Sequence, residues 1–319
     1  MYYTPAMAQT STTTSILRIG SRGSPLALTQ AREVQSRLAT ACGLAPERIE
    51  IKVIRTTGDM IQDRPLAEAG GKGLFTKEIE EALKSGAIDL AVHSSKDMPT
   101  LLPAGLVLSG FLPREDARDA FISRSAKSLH ELRNGAVVGT ASLRRQALIK
   151  HLRRDLAIVP LRGNVETRLR KLENGDFDAT ILAIAGLKRL GLAAVATAVL
   201  DIDEFLPAVG QGAIGIETRA DDGNTRALVA AVNDPDTATA LAAERAFLAV
   251  LDGSCRTPIA GYAHIIDGRV RFRGMIAKTD GSAALDVSRE GPRADAAALG
   301  ADAGRELKSR AGPGFFERD

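Results

Sequence analysis

Short apolar runs that end in polar turns recur along most of the chain. The sequence predicts strands at 16–20, 49–55, 88–92 and 107–112. Between the first two strands the apolar positions repeat with a helical period, and the predicted helix has Ser24 as a suitable N-cap and Pro25 at its first position. Strands that alternate with helices favour parallel sheets joined by right-handed crossovers. The first third of the chain therefore predicts an α/β domain.

The same alternation returns after a polar linker at 113–116. Further strands are predicted at 137–139, 156–160 and 180–183, and at 213–217 after a glycine-rich crossover at 207–212. From about residue 234 the pattern changes to a long alanine-rich helix, a hairpin that turns at Asp267 and Gly268, and a closing helix near 294–309. We therefore expect two α/β domains followed by a small α+β domain.

Composition narrows the function. The chain has 42 Lys and Arg against 39 Asp and Glu, a balance unlike the strongly basic face of a general nucleic-acid binder. Aromatic residues make up 4% of the chain with no Trp, which argues against a base-stacking platform. Two distant cysteines and four scattered histidines give neither a disulfide framework nor a metal-ligand pattern. We expect no nucleic-acid partner and no metal.

The N-terminus and the hydropathy bear on localisation. The first residues show neither the basic start nor the apolar core of a secretory signal, and no apolar run is long enough to cross a bilayer. We therefore expect a cytoplasmic protein with reduced thiols, no membrane partner and a disordered leader over residues 1–15.

Asp97 stands out among the residues that follow predicted strands. It comes after the apolar run 88–92, in a turn that Pro99 closes, and parallel α/β sheets bind ligands at the carboxyl ends of their strands. Nearly every other strand-end loop carries a base. These bases are Arg22, Lys72, Lys77, Arg144, Arg145, Arg162, Arg168 and Arg189. One acid that faces many bases indicates a polyanionic ligand that becomes locally cationic while it reacts.

Each of these features also has a simpler explanation. Lys96 and Asp97 are an ordinary solvated pair if their turn lies on the surface, and any single base can be a solvated surface charge. The recurrence of bases at strand-to-helix junctions favours anion sites, because a helix N-terminus and a guanidinium both attract carboxylates. The GGKG stretch at 70–73 lacks the spacing of a Walker A loop. Cys255, next to Arg256, is either a reactive thiolate or a buried inert thiol.

Eight motifs together resemble the porphobilinogen deaminase family. They are SRGSPLAL at 21–28, GGKGLF at 70–75, HSSKDMP at 93–99, GTASLRR at 139–145, LRGNV at 161–165, GLKRL at 186–190, VGQG at 209–212 and GSC at 253–255. They follow the order of the family from about residue 16 to the C-terminal region. One such motif carries little weight, whereas eight in order do not arise by chance.

The resemblance implies an enzyme of tetrapyrrole biosynthesis that joins four porphobilinogen molecules head to tail, releases ammonia and yields hydroxymethylbilane. It implies a dipyrromethane cofactor held by a thioether to Cys255, and a catalytic carboxylate at Asp97. The matching motifs also predict the residues that bind substrate or cofactor. They are Arg22, Ser24, Lys72, Ser94, Lys96, Thr140, Ser142, Arg144, Arg145, Arg162, Gly163, Arg168, Arg189 and Gln211. The resemblance favours a monomer.

The implied fold consists of two domains like those of type II periplasmic binding proteins and a small α+β domain that carries the cysteine loop. Domain 1 is expected at 16–112 and 213–233, domain 2 at 113–212, and domain 3 at 234–319. The resemblance alone returns the strand at 213–217 to domain 1. Ser254 stands where many relatives have glycine, a departure that concerns only the geometry of the cysteine loop.

The implied chemistry accounts for the charged residues. Each pyrrole carries an acetate and a propionate group, so a growing chain needs many fixed bases. Loss of ammonia leaves a cation, and each coupling passes through a positively charged pyrrole; a carboxylate at Asp97 can stabilise both and can assist proton transfer. Cys255 is expected only to tether the primer from which the chain grows.

Two non-enzymatic alternatives share a basic two-domain cleft. A periplasmic anion-binding protein predicts a secretion signal, of which the N-terminus shows no sign. The ligand domain of a transcription regulator predicts an accompanying helix-turn-helix segment, which we do not find in the sequence. Neither alternative requires Asp97 or Cys255.

Overall fold

The computed structural model describes residues 17–60, 74–251 and 257–315. The predicted leader, Lys72 and Cys255 lie outside these described residues. Within them the chain forms three sheets, two of five strands and one of three strands.

The first sheet begins with strands and helices in alternation. In chain order the elements are β1 (Leu17–Ser21), α1 (Pro25–Cys42), β2 (Ile49–Val53), α2 (Thr57–Met60), α3 (Lys77–Lys84), β3 (Leu90–Ser94) and β4 (Leu106–Phe111). Strands β1, β2 and β3 are parallel, as the alternation predicted. On α1, Val34 and Leu38 are fully buried in one cluster with Ile19 and Leu90 of the sheet. Burial of this apolar face fixes α1, and with it the loop that carries Arg22, against the sheet.

The second sheet follows the same scheme. Its elements are β5 (Asp119–Ser123), β6 (Val137–Gly139), α4 (Leu143–Leu152), β7 (Ala157–Val159), α5 (Val165–Glu173), β8 (Ala179–Ala183), α6 (Ile184–Arg189) and β9 (Ala198–Val199). The strand order is β7-β6-β8-β5-β9, with β5 antiparallel to β8. The sequence analysis did not predict β5, because five residues beside a charged segment give no clear periodicity. Its burial between β8 and β9 depends on pairing with distant residues.

The chain then returns to the first sheet through β10 (Ile214–Arg219), which precedes α7 (Gly223–Ala230). Strand β10 is antiparallel to both neighbours and completes the order β2-β1-β3-β10-β4. In the segment before β10, Gly210 has a φ of 73°, and a Cβ there would lie 2.9 Å from the carbonyl carbon of Ser95. Glycine at this position therefore lets the crossover pass directly behind the Asp97 turn.

The third sheet packs against two long helices. The elements are α8 (Pro235–Val250), β11 (Ile259–Ile266), β12 (Arg269–Ala277), β13 (Ala284–Pro292) and α9 (Ala296–Ala311). The predicted turn at Asp267 and Gly268 joins β11 to β12, and both residues have positive φ. Strand β13 was not predicted, since polar residues interrupt its apolar alternation. Phe247 of α8 and Phe272 of β12 are buried in the core, with ring centroids 5.0 Å apart.

Glu244 of α8 ties the three sheets together. Its fully buried carboxylate accepts hydrogen bonds from the backbone N–H of Gly210 (2.7 Å) and of Ala263 (2.8 Å). It also pairs with Arg114, which lies in the linker at 113–116 between the first two sheets. Loss of any partner of a buried carboxylate is costly in free energy. The Glu244 contacts therefore favour one arrangement of the three segments that contain Arg114, Gly210 and Ala263. The three sheets support the division that we propose, with domain 1 at 16–112 and 213–233, domain 2 at 113–212 and domain 3 at 234–319.

Candidate active site

Asp97 lies at the end of β3, in a single 3-10 turn formed by Ser95–Asp97. Its side chain lines a cleft of about 1460 Å³ between the two α/β parts. Most of the predicted binding residues line the same cleft. They are Arg22, Ser24, Ser94, Lys96, Ser142, Arg144, Arg145, Arg162, Gly163, Arg168, Arg189 and Gln211. Thr140 does not line it: Thr140 is buried, and its hydroxyl accepts the backbone N–H of Ser142 at 3.2 Å.

Three helix N-termini open onto the cleft. Ser24, Ser142 and Asn164 are the N-caps of α1, α4 and α5, and each side chain accepts a backbone N–H of the first turn. The remaining free N–H groups and the positive ends of these helix dipoles favour negative charge nearby. All three caps line the cleft, so both α/β parts direct positive potential into it.

Asp119 organises the base of the cleft, and the sequence analysis missed it. This fully buried carboxylate accepts hydrogen bonds from Arg144 (2.7 Å) and Arg145 (2.7 Å), and also from the side-chain amide of Gln211 (3.0 Å). Arg144 additionally donates to the carbonyl oxygen of Leu206 at 2.7 Å. Arg144 is therefore held in place by protein groups, and one carboxylate sets the orientation of both arginines.

The two arginines determine the ionisation of Asp119. Burial by itself raises the pKa of this carboxyl, but the charges of Arg144 and Arg145 outweigh burial and lower the pKa to about 2. Burial also lowers the pKa of Arg144. Asp119 is thus ionised at all physiological pH values, with two positive charges beside its single negative one.

We predict that Asp119→Asn lowers the melting temperature by roughly 5–10 °C, since loss of one partner of a buried ion pair costs about 3–5 kcal/mol. The pKa of Asp119 is depressed in the folded state, so its stabilisation is complete above the unfolded pKa of about 3.9 and is lost as the pH falls toward 2. Thermal melting of the parent and the variant between pH 3 and pH 7 measures both effects.

Asp155→Asn is the matched control. Asp155 accepts from Arg153 at 2.7 Å on the surface, and its side chain is 37% exposed. We expect no clear change in melting temperature for this variant, because exposed ion pairs contribute little. Equal melting temperatures for the parent and Asp119→Asn would contradict the structural role given to Asp119.

Arg22 has protein partners on two sides. Its guanidinium pairs with Asp59, with Nε 3.1 Å from Oδ1, and lies 4.1 Å from the ring centre of Phe75. Thr56 donates its hydroxyl hydrogen to Asp59 at 2.8 Å. The Asp59 carboxylate therefore fixes Arg22 at the edge of the cleft, a role that the sequence analysis did not predict.

Two of the cations are crowded by other cations. Partial desolvation in the cleft and the nearby charge of Arg145 lower the pKa of Lys96 to about 8, although Lys96 is solvent-exposed and Asp97 and Asp119 oppose the shift. Burial and Arg145 likewise lower the pKa of Arg168 to about 10, and Asp97 again opposes the shift. The cleft thus holds more positive than negative charge, and an incoming carboxylate would relieve the repulsion.

Other predicted residues shape the walls. Lys96 Nζ lies 3.4 Å from the amide oxygen of Gln211, and Arg168 donates to the carbonyl oxygen of Gly163 at 2.8 Å. Gly163 has a φ of 109°, a conformation that glycine adopts readily. Arg189 spans the cleft, because it donates to the carbonyl oxygen of Gly212 (3.0 Å) and to Glu33 on α1 (3.4 Å).

Across residues 17–60, 74–251 and 257–315, no group of three or more His, Cys, Asp or Glu side chains could hold a metal ion. No helix in the described part of the chain is long and apolar enough to span a bilayer.

The fold and the cleft define a protein with two α/β parts and a large cleft that is lined by more bases than acids. Residues 17–227 match the family model described as porphobilinogen deaminase, dipyromethane cofactor binding domain, and residues 238–309 match the porphobilinogen deaminase C-terminal domain. The chain belongs to the porphobilinogen deaminase family. The predicted family and the predicted dipyrromethane cofactor are both confirmed.

Curated relatives agree over nearly the whole chain. Porphobilinogen deaminase of Nitrobacter winogradskyi is 63% identical over 309 residues, which cover 97% of this chain and 98% of the relative. The enzyme of Nitrobacter hamburgensis shows the same identity and the same coverage of both chains.

Among solved structures, the methionine binding protein MetQ is similar with a TM-score of 0.43 and 19% identity, over 68% of this chain and 89% of that one. A periplasmic substrate-binding protein of an ABC transporter from Coxiella burnetii is similar with a TM-score of 0.42 and 19% identity, over 69% of this chain and 93% of that one. The predicted fold class, two α/β domains and a small α+β domain, is confirmed by the sheet topology.

Proposed function

We propose that Asp97 is the catalytic carboxylate of the cleft, and that the surrounding bases hold the carboxylates of the substrate and of the growing chain. The protein is a transferase of tetrapyrrole biosynthesis that joins four porphobilinogen molecules head to tail, with release of ammonia, to form hydroxymethylbilane. The assignment of individual residues to this reaction is our proposal.

The crowding of cations carries this proposal. The cleft lining holds more Lys and Arg side chains than Asp and Glu side chains, and desolvation together with the charge of Arg145 lowers the pKa values of Lys96 and Arg168. Porphobilinogen brings two carboxylates, and each added unit brings two more. A cleft of about 1460 Å³ with bases from both α/β domains suits a ligand that grows in size and negative charge together.

Asp97 is placed to act on the cation rather than on the carboxylates. Asp59 also lines the cleft but is engaged by Arg22, and Glu166 lies exposed in the first turn of α5. Asp97 makes no hydrogen bond or ion pair with another described residue. Its charge is therefore available to the pyrrole N–H groups and to the cation that forms when ammonia leaves.

The described residues suit a dipyrromethane group. Leu248 and Thr257, on either side of the segment that contains Cys255, both line the cleft. Nε of Arg144 is buried and has no hydrogen-bond partner among the described residues. We propose that Arg144, Arg145 and Arg168 hold the carboxylates of the cofactor and that Cys255 is its attachment point. When bound, the cofactor supplies the terminal pyrrole at which the first unit is added.

We also propose that the protein works in the cytoplasm as a monomer, with porphobilinogen as its small-molecule substrate. Its nearly balanced charge supports the absence of a nucleic-acid partner, because a general nucleic-acid binder carries a strongly basic surface.

A stoichiometric assay tests the function. We expect the purified holoenzyme to consume four porphobilinogen molecules and to release four ammonia molecules for each hydroxymethylbilane. Ammonia and the bilane are measured in the same reaction, the bilane through its ring closure to uroporphyrin. Binding of porphobilinogen without ammonia release would contradict the proposal and would favour an anion-binding protein.

A further inference from the structure

A small chamber of about 70 Å³ opens beside Asp97. It shares Arg22, Ser24 and Asp97 with the wall of the main cleft, and it extends further to His93 and Thr76. One water molecule needs about 10–15 Å³ when volume is measured in this way, so a few molecules of that size can enter.

A buried histidine–carboxylate pair forms one side of this chamber. Nε2 of His93 lies 3.0 Å from Oε2 of Glu217, and these side chains are 5% and 0% exposed. In a neutral imidazole whose Nε2 donates to this carboxylate, Nδ1 presents its lone pair. Nδ1 has no hydrogen-bond partner among the described residues. A buried carboxylate that orients an imidazole is a frequent arrangement for proton transfer.

Unpartnered acceptors surround this pair. The Thr76 hydroxyl oxygen, Oε1 of Glu80 and Oε1 of Glu217 are buried without a hydrogen-bond partner among the described residues. Burial raises the pKa of Glu80; an interaction with the Thr76 side chain opposes this shift, the charge of Glu217 adds to it, and His93 opposes it. From α8, the charge of Arg245 interacts with Glu217. Of these groups, the Thr76 hydroxyl lines the chamber, where it can accept a hydrogen bond from a small molecule with N–H groups.

The family reaction produces a molecule of this kind. The C–N bond of the aminomethyl group breaks and leaves its electron pair on nitrogen, while the acceptor pyrrole carbon forms a C–C bond and then loses its proton. From the ammonium form of the side chain the sum is R–CH₂–NH₃⁺ + H–R′ → R–CH₂–R′ + NH₄⁺. The proton that carbon loses equals the one that ammonia gains, so no oxidant or reductant is required.

We propose that this chamber receives the ammonia leaving group, and that His93, oriented by Glu217, accepts the proton of the acceptor pyrrole and passes it to the ammonia. The assignment rests on the proposed function. It gives Asp97 and His93 separate tasks: Asp97 stabilises the cation, and His93 moves the proton. The Thr76 hydroxyl is an acceptor for the N–H groups of ammonia or ammonium.

Nuclear magnetic resonance tests the chamber without turnover. With four histidines in the chain, protein labelled with nitrogen-15 at histidine gives a simple spectrum. In the holoenzyme we expect His93 as the Nε2–H tautomer, and we expect ammonium chloride, but not potassium chloride, to shift its signals. Thr76→Val should weaken this response, because it removes the hydroxyl that lines the chamber. No ammonium-dependent shift of His93 in the parent would overturn the chamber.

Kinetics test the proton transfer. We expect His93→Gln to lower kcat about 10²-fold with KM within about threefold, and Glu217→Gln to lower it less, since an amide still holds the ring. Inhibition of the parent by ammonium should weaken in both variants. His130→Gln is the matched control, because His130 pairs with Glu204 on the surface and should behave as the parent.

The possible outcomes distinguish the proposed function of the protein from the role proposed for His93. A lower kcat with unchanged ammonium inhibition would show that His93 has only a structural role, and it would overturn the assignment. If His93→Gln does not fold, Glu217→Gln and Thr76→Val carry the same test. A parent that consumes no porphobilinogen would contradict the proposed function itself, whereas an active parent with active His93 variants would contradict only this inference.

Discussion

Replacing Asp97 by asparagine is expected to lower kcat for porphobilinogen consumption about 10²–10³-fold and to change KM less than about threefold. The substitution preserves the size of the side chain and removes its charge. Asp97 lines the cleft and makes no hydrogen bond or ion pair with another described residue, so the folded state should lose little. The charge matters most where a cation develops on the substrate, which is in the transition state. Steady-state kinetics of the cofactor-loaded enzyme measure the effect.

Asp176→Asn provides the matched control for this experiment. Asp176 is an exposed aspartate in the turn between α5 and β8, and it does not line the cleft. Its variant should keep kcat within about twofold of the parent, as expected for a surface change. If Asp97→Asn keeps both the melting temperature and nearly the full kcat of the parent, Asp97 is not the catalytic carboxylate.

Cys255→Ser is expected to abolish turnover and the covalent attachment of the cofactor. A serine hydroxyl is almost entirely protonated at neutral pH, whereas a thiol supplies the thiolate that forms the thioether. Intact mass of the parent should exceed the sequence mass by two linked pyrroles, and the mass of Cys255→Ser should not. This measurement needs no assay and reports directly on the tether.

Cys42→Ser is the internal control for the mass measurement. Cys42 is the other cysteine, it ends α1 far from the cleft residues, and its sulfur lies 4.0 Å from the carbonyl oxygen of Leu228. We expect this variant to retain the excess mass and the activity. Preparations are first incubated with porphobilinogen or hydroxymethylbilane to load any apoprotein. An unmodified parent after loading would contradict attachment at Cys255.

The pattern of apolar and polar residues and the short motifs predicted the alternation of strands and helices. They also indicated the Asp97 carboxylate and the Cys255 thiol, on which the proposed reaction depends. Alternating strands and helices place the strand-end loops of a parallel sheet at one edge, so Arg22 and Asp97 had to lie near each other. The same rule applies to Arg145 and Arg162 in the second sheet. Eight motifs in order were enough to predict the family.

Pairing between distant segments was not predictable from that pattern. Strand β5 and the role of Asp119 were missed, because Asp119 meets Arg145, 26 residues further along the chain, only in the folded state. His93 and Glu217 are 124 residues apart, and adjacent strands of one sheet bring them together.

Sequence by itself thus determined the alternation of strands and helices, the family and the type of charge that lines the cleft. These follow from the hydrophobic periodicity, the residues at turns and the residue types, which act over a few neighbouring residues. Only the tertiary structure decided which bases have carboxylate partners in the protein, since Asp119 engages Arg144 and Arg145 and Asp59 engages Arg22, whereas Lys96 and Arg168 lie near the positive charge of Arg145. Ionisation depends on burial and on charges within a few ångströms, and both are set by packing between parts of the chain that lie far apart in sequence.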